Sequence, residues 1–441
     1  MKRPLIIAGV LVFAVGGGIL GGFSVSELDL PLSKSLGRVT RHLRQYPAFV
    51  AAVQRIKGPP RNPGAAPGLR GHWGRTAPAG AAGDSAAAGG PSQDDFERLR
   101  AIGYLGAEEE APATSGVVIH DAERASGTRL LWTSGHAALA VLMERDGTIL
   151  HAWRRTFEEA FPGVPAPADR PSYHYFRKAW LGDDGDLLVI FEGQAIMKLD
   201  RDSNILWAKL NHAHHDFHVL PSGEILVLTR EVHVQPDYHP RRPILEDFIS
   251  LLTPDGEEIR RVSMLDAVRN SRYSGLLDYS PEWGDIMHNN TLQILGEGTG
   301  GLSPELAPGH AVVSFNKTNV IGVVDLEEER MTWAIVGLTD GNHDPIFLEN
   351  GNLLVFDNAG GEGDHSRVLE VDPFTQEIVW SYDGDEANGF YSWCCGTSHR
   401  LPNGNTLITE TSAGRAFEVT PGNEIVWEFI NPHRNRPSEH A

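Results

Sequence analysis

"LENGNLLVFDN" (348–358) is followed by "SRVLEVDPFTQEIVWSYDG" (366–384), and "LPNGNTLITET" (401–411) by "GRAFEVTPGNEIVWEF" (414–429). The two pairs match class by class. Each has an Asn-Gly turn, a β-branched run, a second run through Glu-Val, another turn, and a run ending in Ile-Val-Trp. Runs of this length between tight turns read as strands. Working outward, further turns stand at "RDG" (145–147), "DDG" (183–185), "PSG" (221–223) and "PDG" (254–256). Trp-bearing runs recur as "GTILHAW", "SNILWAKL" and "ERMTWAIVG". Aligned, these give six units at 117–157, 173–210, 213–265, 285–337, 341–384 and 390–433. A unit of about four strands in about 40–50 residues is the period of a propeller blade. The prediction is an all-β fold, a six-bladed β-propeller over residues 116–435. An open sandwich would not need this self-similarity.

The repeat carries histidines at a fixed phase. His215 stands eight residues before Gly223, His288 eight before Gly296, and His343 eight before Gly351. In a propeller, equivalent positions on innermost strands are related by rotation about the central axis. The spacing therefore predicts three imidazoles from three blades facing one point. Imidazole serves as acid, base, nucleophile or metal ligand near neutral pH. The residues that follow, Asp216, Asn289 and Asp344, either orient the rings or cap turns.

Lys+Arg 38 against Asp+Glu 58 gives a net charge of −20, which excludes nucleic acid as the expected partner. Residues 4–26 carry no charge and follow Lys2 and Arg3. That pattern predicts an uncleaved signal-anchor helix over 1–26, with the propeller in the periplasm or outside the cell. Residues 27–57 read as a juxtamembrane helical segment, and 58–115 as a Gly/Pro/Ala-rich linker with a short helix near 94–106. The two cysteines, Cys394 and Cys395, are adjacent. They leave a vicinal bridge or two free thiols open.

The units "HHDFHVLPSGEILVL", "DIMHNNTLQIL", "NHDPIFLENGNLLVFDN" and "SHRLPNGNTLITE" resemble the bacterial arylsulfotransferase family. The resemblance covers about residues 116–433 and is specific in the last four units. It implies a six-bladed propeller outside the cytoplasm that moves a sulfuryl group from an aryl sulfate to a phenol without a nucleotide donor. No cofactor and no metal is expected. The family mechanism is ping-pong through a sulfohistidine on the last axial histidine, which corresponds to His343. His215 and His288 then act as acid/base and sulfuryl-binding groups. The family also has an arginine on the strand after the second histidine, where this chain reads "VVSFNKTNVIGVVD". Asn316 and Lys317 occupy that neighbourhood, and strand geometry lets at most one reach the channel. Lysine lacks the planar fork that fits a sulfate. Arg177, eight residues before Gly185, is the candidate substitute cation.

Asn290 and His399 complete the expected substrate-binding set with Arg177, Asn316 and Lys317. The cysteine pair lies near the same phase, with packing between blades as the plainer reading. The insertion "VHVQPDYHPRRP" (232–243) reads as a loop over a channel mouth, or as surface decoration. "GGEGDH" (360–365) lacks the context of a phosphate-binding loop. Two other functions fit the residues: a metal-dependent hydrolase on the three histidines, which predicts bound zinc, and a non-catalytic tethered propeller for binding.

Overall fold

The computed structural model describes residues 93–100, 113–168, 170–298, 302–360, 365–384 and 389–433. The expected anchor at 1–26, the segment 27–57 and most of the 58–115 linker lie outside them. Among the described residues, no helix is long and apolar enough to cross a membrane. The short linker helix is present as α1 (Gln93–Arg100).

The second strand of most blades is apolar at nearly every position, as in "LLVIF" (187–191) and "LLVFD" (353–357). A strand with one wet face would alternate, whereas these are buried on both faces. Leu187, Val189 and Phe191 pack with Ala140 and Trp153 of the preceding blade. Leu188 and Ile190 pack with Phe217 and Val227 of the following one. The same split recurs at Leu353 and Val355 against Leu354 and Phe356. The core is thus a series of apolar layers between neighbouring blades. The ring closes where Met143 meets Trp427 and Phe429.

The strand β1 (Gly116–His120) comes first in the propeller. Blade 1 holds β2 (Leu130–Thr133), β3 (Leu139–Met143) and β4 (Ile149–Arg154). Blade 2 holds β5 (Phe176–Leu181), β6 (Leu187–Phe191), β7 (Ala195–Leu199) and β8 (Ile205–Lys209). Blade 3 holds β9 (Ala213–Val219), β10 (Ile225–His233), β11 (Ile244–Leu252) and β12 (Glu258–Ser263), with the short β13 (Gly284–Asp285) parallel to β11. Blade 4 holds β14 (Asn289–Ile294), β15 (Ala311–Phe315), β16 (Val320–Asp325) and β17 (Arg330–Val336). Blade 5 holds β18 (Asn342–Phe347), β19 (Leu353–Asp357), β20 (Arg367–Val371) and β21 (Ile378–Tyr382). Blade 6 holds β22 (Thr397–Arg400), β23 (Thr406–Glu410), β24 (Arg415–Val419) and β25 (Ile425–Ile430).

One expectation is corrected. Residues 117–120 do not begin blade 1; β1 adds a fifth strand to blade 6, with Gly116 opposite Ile430 and His120 opposite Trp427. Blade 1 is left with three strands. A ring built from a linear chain needs a join between its ends, and this antiparallel pair supplies one.

Three of the recurring tryptophans have a shared task. Trp207 donates its indole N–H to the Pro254 carbonyl in the outer turn of blade 3, at 3.0 Å. Trp380 does the same to Pro421 of blade 6 at 3.1 Å, and Trp427 to Arg145 of blade 1 at 2.6 Å. The outer strands of blades 2, 5 and 6 are thus pinned to the next blade.

Candidate functional site

The three histidines lie where innermost strands begin. His215 and His288 adopt φ of 49° and 58°, a conformation that disfavours any residue with a side chain. The strand register breaks nearby in all three blades: between Val227 and Thr229 opposite β9, between Asn289 and Leu292, and between His343 and Ile346. Such bulges re-aim a side chain out of the regular alternation. The result is convergence. The His215 and His288 rings meet edge to face at 5.1 Å between centroids. Arg177 of blade 2 donates from Nη1 to Cys395 Sγ of blade 6 at 3.4 Å. Those two blades are not neighbours, so this contact crosses the axis.

The partners of His343 fix its protonation. Asn358 places its side-chain nitrogen 2.6 Å from the Ser392 carbonyl and 2.8 Å from that of Cys395. Carbonyls only accept, so this end is the amide nitrogen and Oδ1 is the end that meets His343 Nδ1, at 2.6 Å. The Gly341 carbonyl lies 3.2 Å from the same ring nitrogen. With two acceptors facing it, Nδ1 carries the proton. The lone pair is therefore on Nε2, which has no hydrogen-bond partner among the described residues. Burial also lowers the His343 pKa and favours the neutral ring.

His288 is held in the same way by a different group. Its Nδ1 lies 2.7 Å from Asp285 Oδ2, and Lys317 Nζ is 4.0 Å from that oxygen. Burial pulls the His288 pKa down to about 4, against the opposing pull of Asp285. His215 faces His214, Nδ1 to Nδ1 at 2.9 Å, with Glu192 Oε1 3.7 Å away. Burial, then Arg177 and His288, hold the His215 pKa well below the usual value. Glu192 also pairs with Arg177 Nε at 3.4 Å.

The other expected binding residues divide. Arg177 joins the histidine layer. Asn290 and Asn316 both donate to the Asn342 carbonyl, at 3.1 and 3.3 Å, so they brace the backbone just before His343. Residues 316–318 form a 3₁₀ turn rather than the expected strand, which lets Asn316 and Lys317 both turn toward the site. His399 lies one layer away, half-exposed, with Nε2 3.8 Å from Asp344 Oδ2. Asp216 takes Lys178 and the Leu292 N–H, and Asp344 takes the Ser398 N–H. The residues after the histidines thus tie strands together rather than orienting the rings.

Sequence reasoning missed Asn358, Asp285 and Glu192, and gave the cysteines the plainer reading. The loop 234–243 joins β10 to β11 at the end of blade 3 where β9 begins. There α1 docks through Leu99 on Val232 and Leu245, and Arg242 stacks over Trp283 at 4.7 Å.

Among the described residues, the group able to converge on a metal ion is Glu192, His214 and His215. It contains one of the three axial histidines, so the trio itself is not a ligand set. A polar cavity of about 360 Å³ opens between blades 2 and 3 beside Gly193 and Arg230. A more apolar one of about 190 Å³ opens between blades 6 and 1 at Trp132 and Phe429. Neither is lined by His215, His288 or His343.

A family model described as arylsulfotransferase (ASST) matches residues 178–432, more than half of the chain. No curated protein matches. Among solved structures, a protein of unknown function from Bacteroides caccae is 14% identical, with TM-score 0.45, over 69% of this chain and 94% of that one. A catalytically inactive virginiamycin B lyase from Staphylococcus aureus with quinupristin is 13% identical, with TM-score 0.41, over 73% and 87%. At that overlap nothing about chemistry follows.

Proposed function

The chain belongs to the arylsulfotransferase family, and from that premise we propose that it transfers a sulfuryl group from an aryl sulfate to a phenol through a sulfohistidine on His343 Nε2. The observation that carries this reading is the fixed tautomer: Asn358 and Gly341 hold the Nδ1 proton, so the lone pair is presented on Nε2 of a ring close enough to Arg177 and His288 to feel their charge.

In the first displacement, Nε2 attacks sulfur and the S–O bond to the aryl group breaks, its electron pair leaving on the phenolate. Arg177 offsets the charge that develops there and on the sulfuryl oxygens. The Nδ1 proton stays with its two acceptors, which stabilise the charged ring. In the second displacement, the phenol oxygen attacks sulfur, the N–S bond breaks, and the lone pair returns to Nε2. The phenol proton passes to His288, whose charged form Asp285 supports. Splitting the transfer lets one site serve donor and acceptor in turn.

The test is the full-length chain with 4-nitrophenyl sulfate, with and without a phenol. Nitrophenolate release that depends on the acceptor, with a sulfuryl adduct lost in His343→Ala, supports the proposal. Turnover that survives His343→Ala without an adduct overturns it. The uncharged run at 4–26 behind Lys2 and Arg3 supports a membrane-anchored propeller outside the cytoplasm. Protection of the propeller from protease added to spheroplasts, with cleavage only after lysis, would sink that placement.

A further inference from the structure

Both cysteines of the chain are at this site. Cys394 and Cys395 are buried in the segment that enters β22. Cys395 adopts φ 58°, matching the entry conformation of His215 and His288 in their blades. Its sulfur accepts from Arg177 across the axis at 3.4 Å, and the Cys394 thiol hydrogen-bonds that same sulfur. Asn358 donates to the Cys395 carbonyl from the amide that also holds His343, so one side chain sets both residues relative to each other. Gly396 follows at φ 103°, where an added Cβ would stand 2.6 Å from the Phe356 ring. The turn is therefore packed in place.

We propose that Cys394 and Cys395 form a redox modification site that controls whether Arg177 can bind an anion. In the dithiol state Cys395 is a thiolate: it neutralises Arg177 and repels an incoming sulfate ester. Joined as a vicinal disulfide, the pair carries no charge and releases Nη1 of the guanidinium, while Glu192 stays on Nε at 3.4 Å. Taking the anion to be a sulfate ester rests on the sulfuryl-transfer reading; the thiol chemistry does not.

The geometry supports a reactive thiolate. A sulfur with a buried cation at hydrogen-bond distance is the environment in which cysteines oxidise selectively. Cys394, Arg177 and His343 together hold the Cys395 thiol well below its usual pKa, against burial. The oxidant is a small peroxide, which a buried sulfur can meet where larger disulfides cannot. Thiolate attack on the peroxide gives a Cys395 sulfenic acid and hydroxide. The Cys394 sulfur then attacks the sulfenic sulfur, forming the S–S bond and expelling water. The pair loses two electrons and the peroxide is reduced to one hydroxide and one water.

The experiment uses the full-length protein, dithiothreitol-reduced or treated with hydrogen peroxide, with inorganic sulfate as the probe in calorimetry. Intact mass follows the loss of two hydrogens. Oxidised protein is expected to bind sulfate at least about tenfold more tightly than reduced protein, because a like charge beside the anion is gone. Cys395→Ser should bind as tightly as oxidised protein in either condition, and Cys394→Ser, which has no second sulfur to close the bridge, should gain oxygen after peroxide in place of losing two hydrogens. The proposal is overturned by three results: no loss of two hydrogens, equal affinity in the two states, or weak binding by Cys395→Ser. The wild-type comparison needs no substitution, so a variant that fails to fold leaves the test intact. The sulfotransferase reading is judged separately, on the adduct at His343.

Discussion

Replacing Asn358 by leucine removes the amide while keeping its size. In the folded protein Nδ1 of His343 would lose its 2.6 Å acceptor but keep the Gly341 carbonyl at 3.2 Å. The ring is then held by one partner of two, and the charge that forms on sulfuryl attack is less well supported. One hydrogen bond to a group that becomes charged is worth about 1.5–3 kcal/mol. At about 1.4 kcal/mol per factor of ten, kcat should fall roughly 10- to 100-fold. Loss of the donor to Cys395 should cost about 1–3 kcal/mol of stability, and loss of the donor to Ser392 less, since the Ser366 hydroxyl still reaches that carbonyl at 3.3 Å. The assay is 4-nitrophenyl sulfate turnover, with urea unfolding and long-range ¹H–¹⁵N correlation of the His343 ring. A folded variant with wild-type kcat, or a wild-type His343 whose proton resides on Nε2, would refute the reasoning.

Acid should destabilise the fold through His288. Its folded pKa of about 4 lies below the unfolded 6.5, so the unfolded state binds more protons between those values. The stability it contributes is present above about pH 6.5 and lost as pH falls through about 4. A shift of this size corresponds to about 3 kcal/mol, and His288→Gln should flatten the pH dependence of urea unfolding by a visible part of it. Arg177→Lys keeps the charge and loses the planar fork; the KM for 4-nitrophenyl sulfate should rise about tenfold or more, and an unchanged KM would remove Arg177 from the anion site. Gly256→Ala should lower stability by about 1–3 kcal/mol, since φ is 81° and the new Cβ would stand 2.7 Å from the Trp207 ring. Melting within a degree of wild type would show that the indole has room to move.

Much of the architecture was legible because its causes are local. Turn glycines, apolar runs buried on both faces and the closing tryptophans each leave a mark within a few residues. The phase of His215, His288 and His343 was legible because rotation about an axis turns equal spacing into proximity. The groups behind the histidines were not. Asn358 stands fifteen residues from His343, just past the end of the neighbouring strand, and Glu192 reaches His215 from another blade. Their meeting depends on how blades pack, which no spacing announces. Asp285 is three residues before His288 and could have been found by asking which carboxylate stands within one turn of each ring. The role of β1 was hidden for a plainer reason: its composition is that of any blade strand, and its partner lies at the far end of the chain.

That join has a mechanical side. The chain preceding the propeller attaches to the outermost strand of the closing blade, so tension from that side, once it has undone the docking of α1 on Val232 and Leu245, comes to β1. The load falls on the short ladder from Gly116–Ile430 to His120–Trp427 before it reaches any strand that carries His215, His288 or His343. If that ladder yields, β22 to β25 can keep their own pairing, and the axis is spared the first displacement. Closing the ring at its rim makes the attachment point a fuse, with the chemistry at the hub behind it.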